Sequence, residues 1–358
     1  VQILLIALTA LILPSASRAD AAEDAIKAVI RLGGTVEQNG KVVRLLYTGV
    51  EDSDLKRFAA IDGLAELDLT ATKVTDAGLR YLAAFKSLTT LRLGHTGVTD
   101  AGLKTLAAMN GLTAVELSGT KVTDAGLKDL AGSKGLRELC LSYTAVTDAG
   151  VKELATLRGL RELSLIGTKV TDAGLKELTP LKGLATLYLG HTAVTDAGMG
   201  TLATYPGLAV LFLSDTRVTD AGLRGLSSAR KLTELDLDDT AVTDAGLKEL
   251  AALTGLTNLS LNDTKVTGAG LKELAALKGL TRLDLRHTGL TDAGAKELAA
   301  LDGLTALVLS DTKVTDAGLI ELAPLKKLKI LFVDKTGVTA AGVKRFRQSR
   351  PGCHTVVQ

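Results

Sequence analysis

Val74-Thr75-Asp76-Ala77-Gly78-Leu79 decides the fold, because its Thr-x-Ala-Gly core returns every 24 residues. The core starts at Thr75, Thr99, Thr123, Thr147, Thr171, Thr195, Thr219, Thr243, Thr267, Thr291, Thr315 and Thr339. No insertion or deletion separates these twelve copies. A period of this length, kept without slippage, means one supersecondary unit stacked on itself. The chain is therefore expected to be a solenoid, whose stability accumulates repeat by repeat.

Working outward from the motif, each unit repeats one pattern. Leu64-Ala65-Glu66-Leu67-Asp68-Leu69 alternates apolar and polar residues, which is strand periodicity. Thr72 and Val74 follow in a turn, and Thr75 or Asp76 caps a short helix over Leu79 to Ala84. Leu79, Leu82, Ala83 and Phe85 are expected to face inward. Asp fills the second motif position in ten of the twelve copies, Gly268 and Ala340 being the exceptions. A carboxylate there suits the positive end of a helix dipole. Gly78 and its equivalents point to a close approach of helix to backbone that no Cβ would permit. A catalytic group is not needed twelve times, so the motif is scaffold.

Composition agrees. Among 358 residues only 3% are aromatic and none is Trp, so the core is built of small aliphatic side chains. The formal net charge is +2, which supplies no field for nucleic acid or a membrane surface, and no basic stripe supports nucleic-acid binding. The two cysteines, Cys140 and Cys353, lie about nine repeats apart, so both are expected to be free thiols. No zinc spacing occurs. Ile3 to Leu13 has the length of a signal-peptide apolar region and is too short to span a membrane. Ser17-Arg18-Ala19 fits a small-x-small cleavage pattern, so residues 1–19 read as a leader, cut after Ala19 or Ala21, and export to a periplasm, cell envelope or exterior follows.

Residues 20–42 are expected to cap the stack. Ala21 to Leu32 reads as a helix stopped by Gly33-Gly34, and Asn39-Gly40 reads as a hairpin turn between Thr35–Gln38 and Lys41–Arg44. Val43-x-Leu45, Thr48 and Val50 repeat the phases of Leu67-x-Leu69, Thr72 and Val74, which brings the solenoid strands to thirteen. At the other end, residues 343–358 supply a basic helix around Val343-Lys344-Arg345-Phe346-Arg347 and a closing strand over Cys353–Val357.

The pattern L-x-x-L-x-L-x-x-T-x-V over residues 43–342 resembles the leucine-rich repeat, with Thr where that family carries Asn or Cys. The resemblance implies an α/β horseshoe with a concave parallel β-sheet of about thirteen strands and short helices on the convex face. The following T-D-A-G-L-K-x-L is similar to the cysteine-containing subclass known from F-box ubiquitin-ligase adaptors. This chain lacks that subclass's repeated cysteines, its repeats are shorter, and no F-box segment precedes them. Thr recurs at the family's Asn position in all thirteen units, from Thr48 and Thr72 to Thr336. Its hydroxyl can bond turn backbone as the Asn does, with fewer bonds.

Alternating strands leave one sheet face bare, and that concave face is where a partner would bind. Thirteen strands about 4.8 Å apart make a surface on the order of 60 Å long. Reading outward-facing phases along the stack gives two features. Tyr143, Ile166, Tyr188, Val210 and Phe212 form an apolar-aromatic patch, and exposed aromatics are usual interface anchors. Asp215, Glu234, Asp236, Asp238, Asp239 and Asp263 form an acidic run beside it that would select positive charge. Drift of unconstrained surface positions would also scatter apolar residues. Asp215, Asp239 and Asp263 stack in successive layers, where oxygen ligands could converge on calcium, although such sites usually need loop carbonyls and tighter convergence; His95, His191 and His287 are too far apart to share a metal. His191 beside Asp215 lacks a nucleophile in phase. The candidate partner-binding residues are thus Tyr143, Ile166, Tyr188, His191, Phe212, Asp215, Asp236, Asp239 and Asp263, with no catalytic residue, metal or cofactor. The expectation is a monomeric, exported, non-catalytic scaffold for a protein or glycan. An intracellular ubiquitin-type adaptor and an envelope spacer without a ligand are the competing classes.

Overall fold

The structure, a computed structural model, describes residues 18–357. The leader expected over 1–19 therefore lies outside the described residues except for its last two. Those two already belong to the first helix, α1 (Arg18–Arg31), which starts ahead of the expected Ala21. Gly33 ends it at φ +85°, with the Gly33 and Gly34 N–H groups bonding back to the carbonyls of Ile30 and Val29.

Among the described residues, fifteen strands of three residues each lie side by side in chain order in one sheet. They are β1 (Thr35–Glu37), β2 (Val42–Arg44), β3 (Glu66–Asp68), β4 (Thr90–Arg92), β5 (Ala114–Glu116), β6 (Glu138–Cys140), β7 (Glu162–Ser164), β8 (Thr186–Tyr188), β9 (Val210–Phe212), β10 (Glu234–Asp236), β11 (Asn258–Ser260), β12 (Arg282–Asp284), β13 (Ala306–Val308), β14 (Ile330–Phe332) and β15 (His354–Val356). Of these described strands, only β1 runs antiparallel, pairing Thr35 with Arg44 and Glu37 with Val42. The thirteen expected solenoid strands are β2 to β14, and the hairpin and closing strand add one at each end. The register is constant: Leu67, Leu91 and Val115 are direct neighbours, as are Asp68, Arg92 and Glu116.

Each layer buries the same set, for example Leu67, Leu69, Val74, Leu79 and Leu82, all at 0% exposure. The helix of that layer runs Asp76–Leu82, capped by Thr75, whose hydroxyl accepts from the Ala77 N–H. It starts and stops earlier than the sequence reading placed it. Ala83, expected inside, is exposed just past the helix end, while Phe85 is buried. The far end is closed by a helix over Ala340–Ser349 that buries Val343 and Phe346, and by β15. Both cysteines are free; Cys353 is buried and Cys140 is partly so.

The motif aspartate does more than complement a dipole. Asp76 accepts the Thr99 backbone N–H at 2.9 Å and the Thr99 hydroxyl at 2.6 Å, one repeat further on. The same pair of hydrogen bonds from the next repeat's threonine recurs along the stack, as from Thr123 to Asp100 and from Thr219 to Asp196. This ladder also corrects the reason for the motif glycine. A Cβ at Gly126 or Gly198 would lie 2.5 Å from the preceding repeat's Asp carboxylate, so the carboxylate is the first obstacle rather than backbone. Where Gly268 replaces the aspartate, the helix becomes a 3-10 segment over Leu271–Ala276.

Candidate partner-binding face

The helices pack on one side of the sheet, so residues such as Glu66 and Asp68 project from the other. Three rows run along that bare face. One contains Glu138, Glu162, Thr186, Val210 and Glu234. A second contains Cys140, Ser164, Tyr188, Phe212 and Asp236, and the β-ladder registers set both. The third, two residues beyond the second, holds Ser142, Ile166, Gly190, Ser214 and Asp238.

Beyond these rows the chain turns, and the turn imposes its own chemistry. The residue before each turn threonine adopts positive φ in all thirteen units, from Tyr47 at +57° through Tyr143, His191, Asp215, Asp239 and Asp263 to Lys335. Gly119 and Gly167 fill two of these positions at +62° and +66°. Asp and His are among the few non-glycine residues enriched there. The turn threonine fixes this geometry: Thr72 and Thr216 each donate their hydroxyl to the carbonyl three residues upstream at 2.6 Å, and every equivalent does the same.

The structure therefore splits both features seen in the sequence. Tyr188 and Phe212 meet on the sheet floor, ring centroids 4.9 Å apart and tilted 41°. Ile166 lies beside them, lining the same hollow as Tyr188. Tyr143 instead stands on the turn rim, 58% exposed, lying over Gly167 with its ring centroid 6.5 Å from that of His191. The acids divide likewise. Glu234, Asp236 and Asp238 belong to the floor, whereas Asp215, Asp239 and Asp263 sit exposed on the rim. There His191 Nδ1 lies 2.5 Å from Asp215, and His287 bridges Asp263 at 3.2 Å and Asp311 at 3.3 Å. The positive φ of these turn positions favours Asp and His there.

The floor has relief. One hollow of about 350 Å³ is lined by Arg92, Glu116, Glu138, Cys140, Glu162 and Ile166, and ends at Tyr188. A second, of about 320 Å³, begins at Phe212 and is lined by Glu234, Asp236, Asp238, Arg282, Asp284 and Arg286. The aromatic pair is the ridge between them. Burial pushes the Asp236 carboxyl up to about 6, with Asp238, Glu234 and Asp284 adding to the rise, and burial likewise raises Asp238. Burial, then Glu138, raises Glu162. Asp284 is matched by Arg286, which forks onto its carboxylate. Glu138 and Glu162 escaped the sequence reading, which took Val210 and Glu234 from their row but not the two members before them. The alternation Glu138-Leu139-Cys140 was the signal that marks their row.

Among the described residues no cluster of His, Cys, Asp and Glu is placed to hold a metal ion, and no helix is long and apolar enough to cross a membrane.

The family model described as Leucine Rich repeat matches residues 86–107, 110–131, 228–251, 280–299 and 304–323. No curated protein matches the chain in sequence. Among solved structures, an internalin of Listeria monocytogenes is 20% identical, with a TM-score of 0.62 over 94% of each chain. A leucine-rich-repeat protein of Leptospira interrogans is 22% identical, with a TM-score of 0.59 over 84% of this chain and 80% of that one. These likenesses concern the fold, and they meet the 24-residue period and the strand-turn-helix unit at the same conclusion. The chain is a leucine-rich-repeat protein.

Proposed function

We propose that this chain is an exported, non-catalytic scaffold that binds a partner on the concave face of its sheet. A leucine-rich-repeat fold suggests a protein-binding scaffold, and the apolar run Ile3 to Leu13 is the support for export. The observation that carries the binding site is the Tyr188–Phe212 pair: two aromatic rings in an aromatic-poor chain, part-exposed on a helix-free face, raised between two hollows. Such rings lose little conformational entropy on binding and offer large contact area. The test is capture from the envelope fraction of the source cell, using the chain from residue 20 onward as bait. The species retained should disappear when Tyr188 and Phe212 are both changed to Ala. Equal retention by the double variant, or no retention by either, would overturn the reading.

A further inference from the structure

We infer that the open face receives an extended segment of a protein partner, whose apolar side chain straddles the Tyr188–Phe212 ridge while two basic side chains enter the flanking hollows. The inference rests on the binding face proposed above and adds the chemistry of its occupant.

The charge pattern along the floor carries it. Strands β8 and β9 present only uncharged groups, namely Thr186, Tyr188 and Gly190, then Val210, Phe212 and Ser214. The layers before them present Glu138 and Glu162, and the layer after them presents Glu234, Asp236 and Asp238. The first hollow sets three carboxylates against Arg92, which is itself drawn to Glu66 at 3.7 Å. The second sets four against Arg282 and Arg286, the latter engaged with Asp284. No ion pair among the described residues involves Glu138, Glu162, Glu234, Asp236 or Asp238. Each hollow is thus two carboxylates in excess, in a chain whose net charge is positive.

Partly desolvated carboxylates without a counter-charge are stabilised most by a cation that brings its own donors. Burial and mutual repulsion raise Glu162 and Asp236, which expresses the same deficit. Tyr188 sits between the two sets: after burial, Glu162 and then Glu234 push its phenol up. Neutral sugar hydroxyls would leave that charge uncompensated, and rings tilted by 41° offer a ridge rather than a flat stacking platform. Spacing sets the ligand's pattern. Glu162 and Glu138 lie three and four strand spacings from Glu234, about 14 to 19 Å, which an extended chain covers in roughly four to six residues.

The experiment titrates the chain with the fluorescein-labelled peptide Gly-Arg-Ala-Leu-Ala-Arg-Gly, whose leucine and two arginines share one face of an extended chain, followed by anisotropy. A peptide of the same composition with its arginines adjacent is the comparator. The spaced peptide should bind saturably, weaken as salt rises, and bind roughly tenfold tighter than the comparator. Glu138→Gln with Glu162→Gln, and separately Glu234→Gln with Asp236→Asn, should each weaken it about tenfold or more. Equal affinity for both peptides, unchanged affinity in the acid-neutralised variants, or no saturation into the millimolar range would overturn the inference. So would displacement of the peptide by neutral oligosaccharides, or self-association in sedimentation that the same variants abolish. If Tyr188→Ala still removes the captured partner while the peptides fail, this inference falls and the proposed function stands.

Discussion

Gly268 and Thr291 mark the one step where the carboxylate-to-threonine bond between successive repeats is missing. At the other motif threonines the preceding repeat's aspartate takes both the backbone N–H and the hydroxyl. Thr291 also makes no capping bond from its side chain, and the layer containing Gly268 holds a 3-10 segment instead of an α-helix. Asp244 compensates in part, accepting from the N–H groups of Thr267, Gly268 and Gly270.

Removing the ladder elsewhere should reproduce that defect. Asp172→Ala deletes two bonds from Thr195 to a charged acceptor, at 2.9 and 2.6 Å. Unfolding in urea, followed by far-ultraviolet circular dichroism, should show a loss of about 1.5–3 kcal/mol. No change would mean that the ladder adds nothing to helix stacking.

The rim residues should answer to backbone shape rather than charge. Asp239 holds φ +53° and is exposed. Asp239→Asn should alter stability by less than about 0.5 kcal/mol, because Asn also tolerates this conformation. Asp239→Val should cost about 1–2 kcal/mol, because a branched Cβ does not. Matched losses from both variants would point to a role for the carboxylate.

The floor should behave in the opposite way. Burial raises Asp236 to about 6, so its contribution is fully present below the ordinary carboxylate range and is lost as pH climbs towards 6. Asp236→Asn should therefore be more stable than the parent at neutral pH, with the advantage gone near pH 4. A thermal-melting series across that window checks the crossover.

Asp244 carries the reverse sign. Burial pushes its carboxyl up, but hydrogen bonds from Thr267, Gly270 and Gly268 outweigh that and hold it below its ordinary value. Its contribution is present above the ordinary carboxylate range and is lost as pH falls through the depressed value. Asp244→Ala should flatten the acid limb of the stability profile; an unchanged limb would show that these bonds do not couple to folding.

The fold was legible because its signal is repeated: period, strand alternation, caps and turn threonines each occur a dozen times or more. Thr72 and Val74 sit in the turn as read, and the strand phases place Tyr188 and Phe212 on the bare face. What stayed hidden needs neighbours in space. Asp76 looks like a helix-dipole residue until Thr99 is placed beside it, and Gly126 looks like a backbone contact until the Asp100 carboxylate is seen. Asp215, Asp239 and Asp263 looked like one acidic feature with Asp236, but positive φ puts them on the rim. Glu138 and Glu162 lay in an outward phase whose importance appears only once Tyr188 is seen to end their hollow.

The most direct measurement is the dissociation constant of the captured partner for the parent chain, for Tyr188→Ala, and for Lys176→Ala on an exposed helix residue away from the sheet face. If the Tyr188–Phe212 ridge is the anchor, Tyr188→Ala should weaken binding about thirtyfold or more while Lys176→Ala leaves it unchanged. Equal affinities for all three proteins, or a loss confined to Lys176→Ala, would contradict the assignment of the concave face.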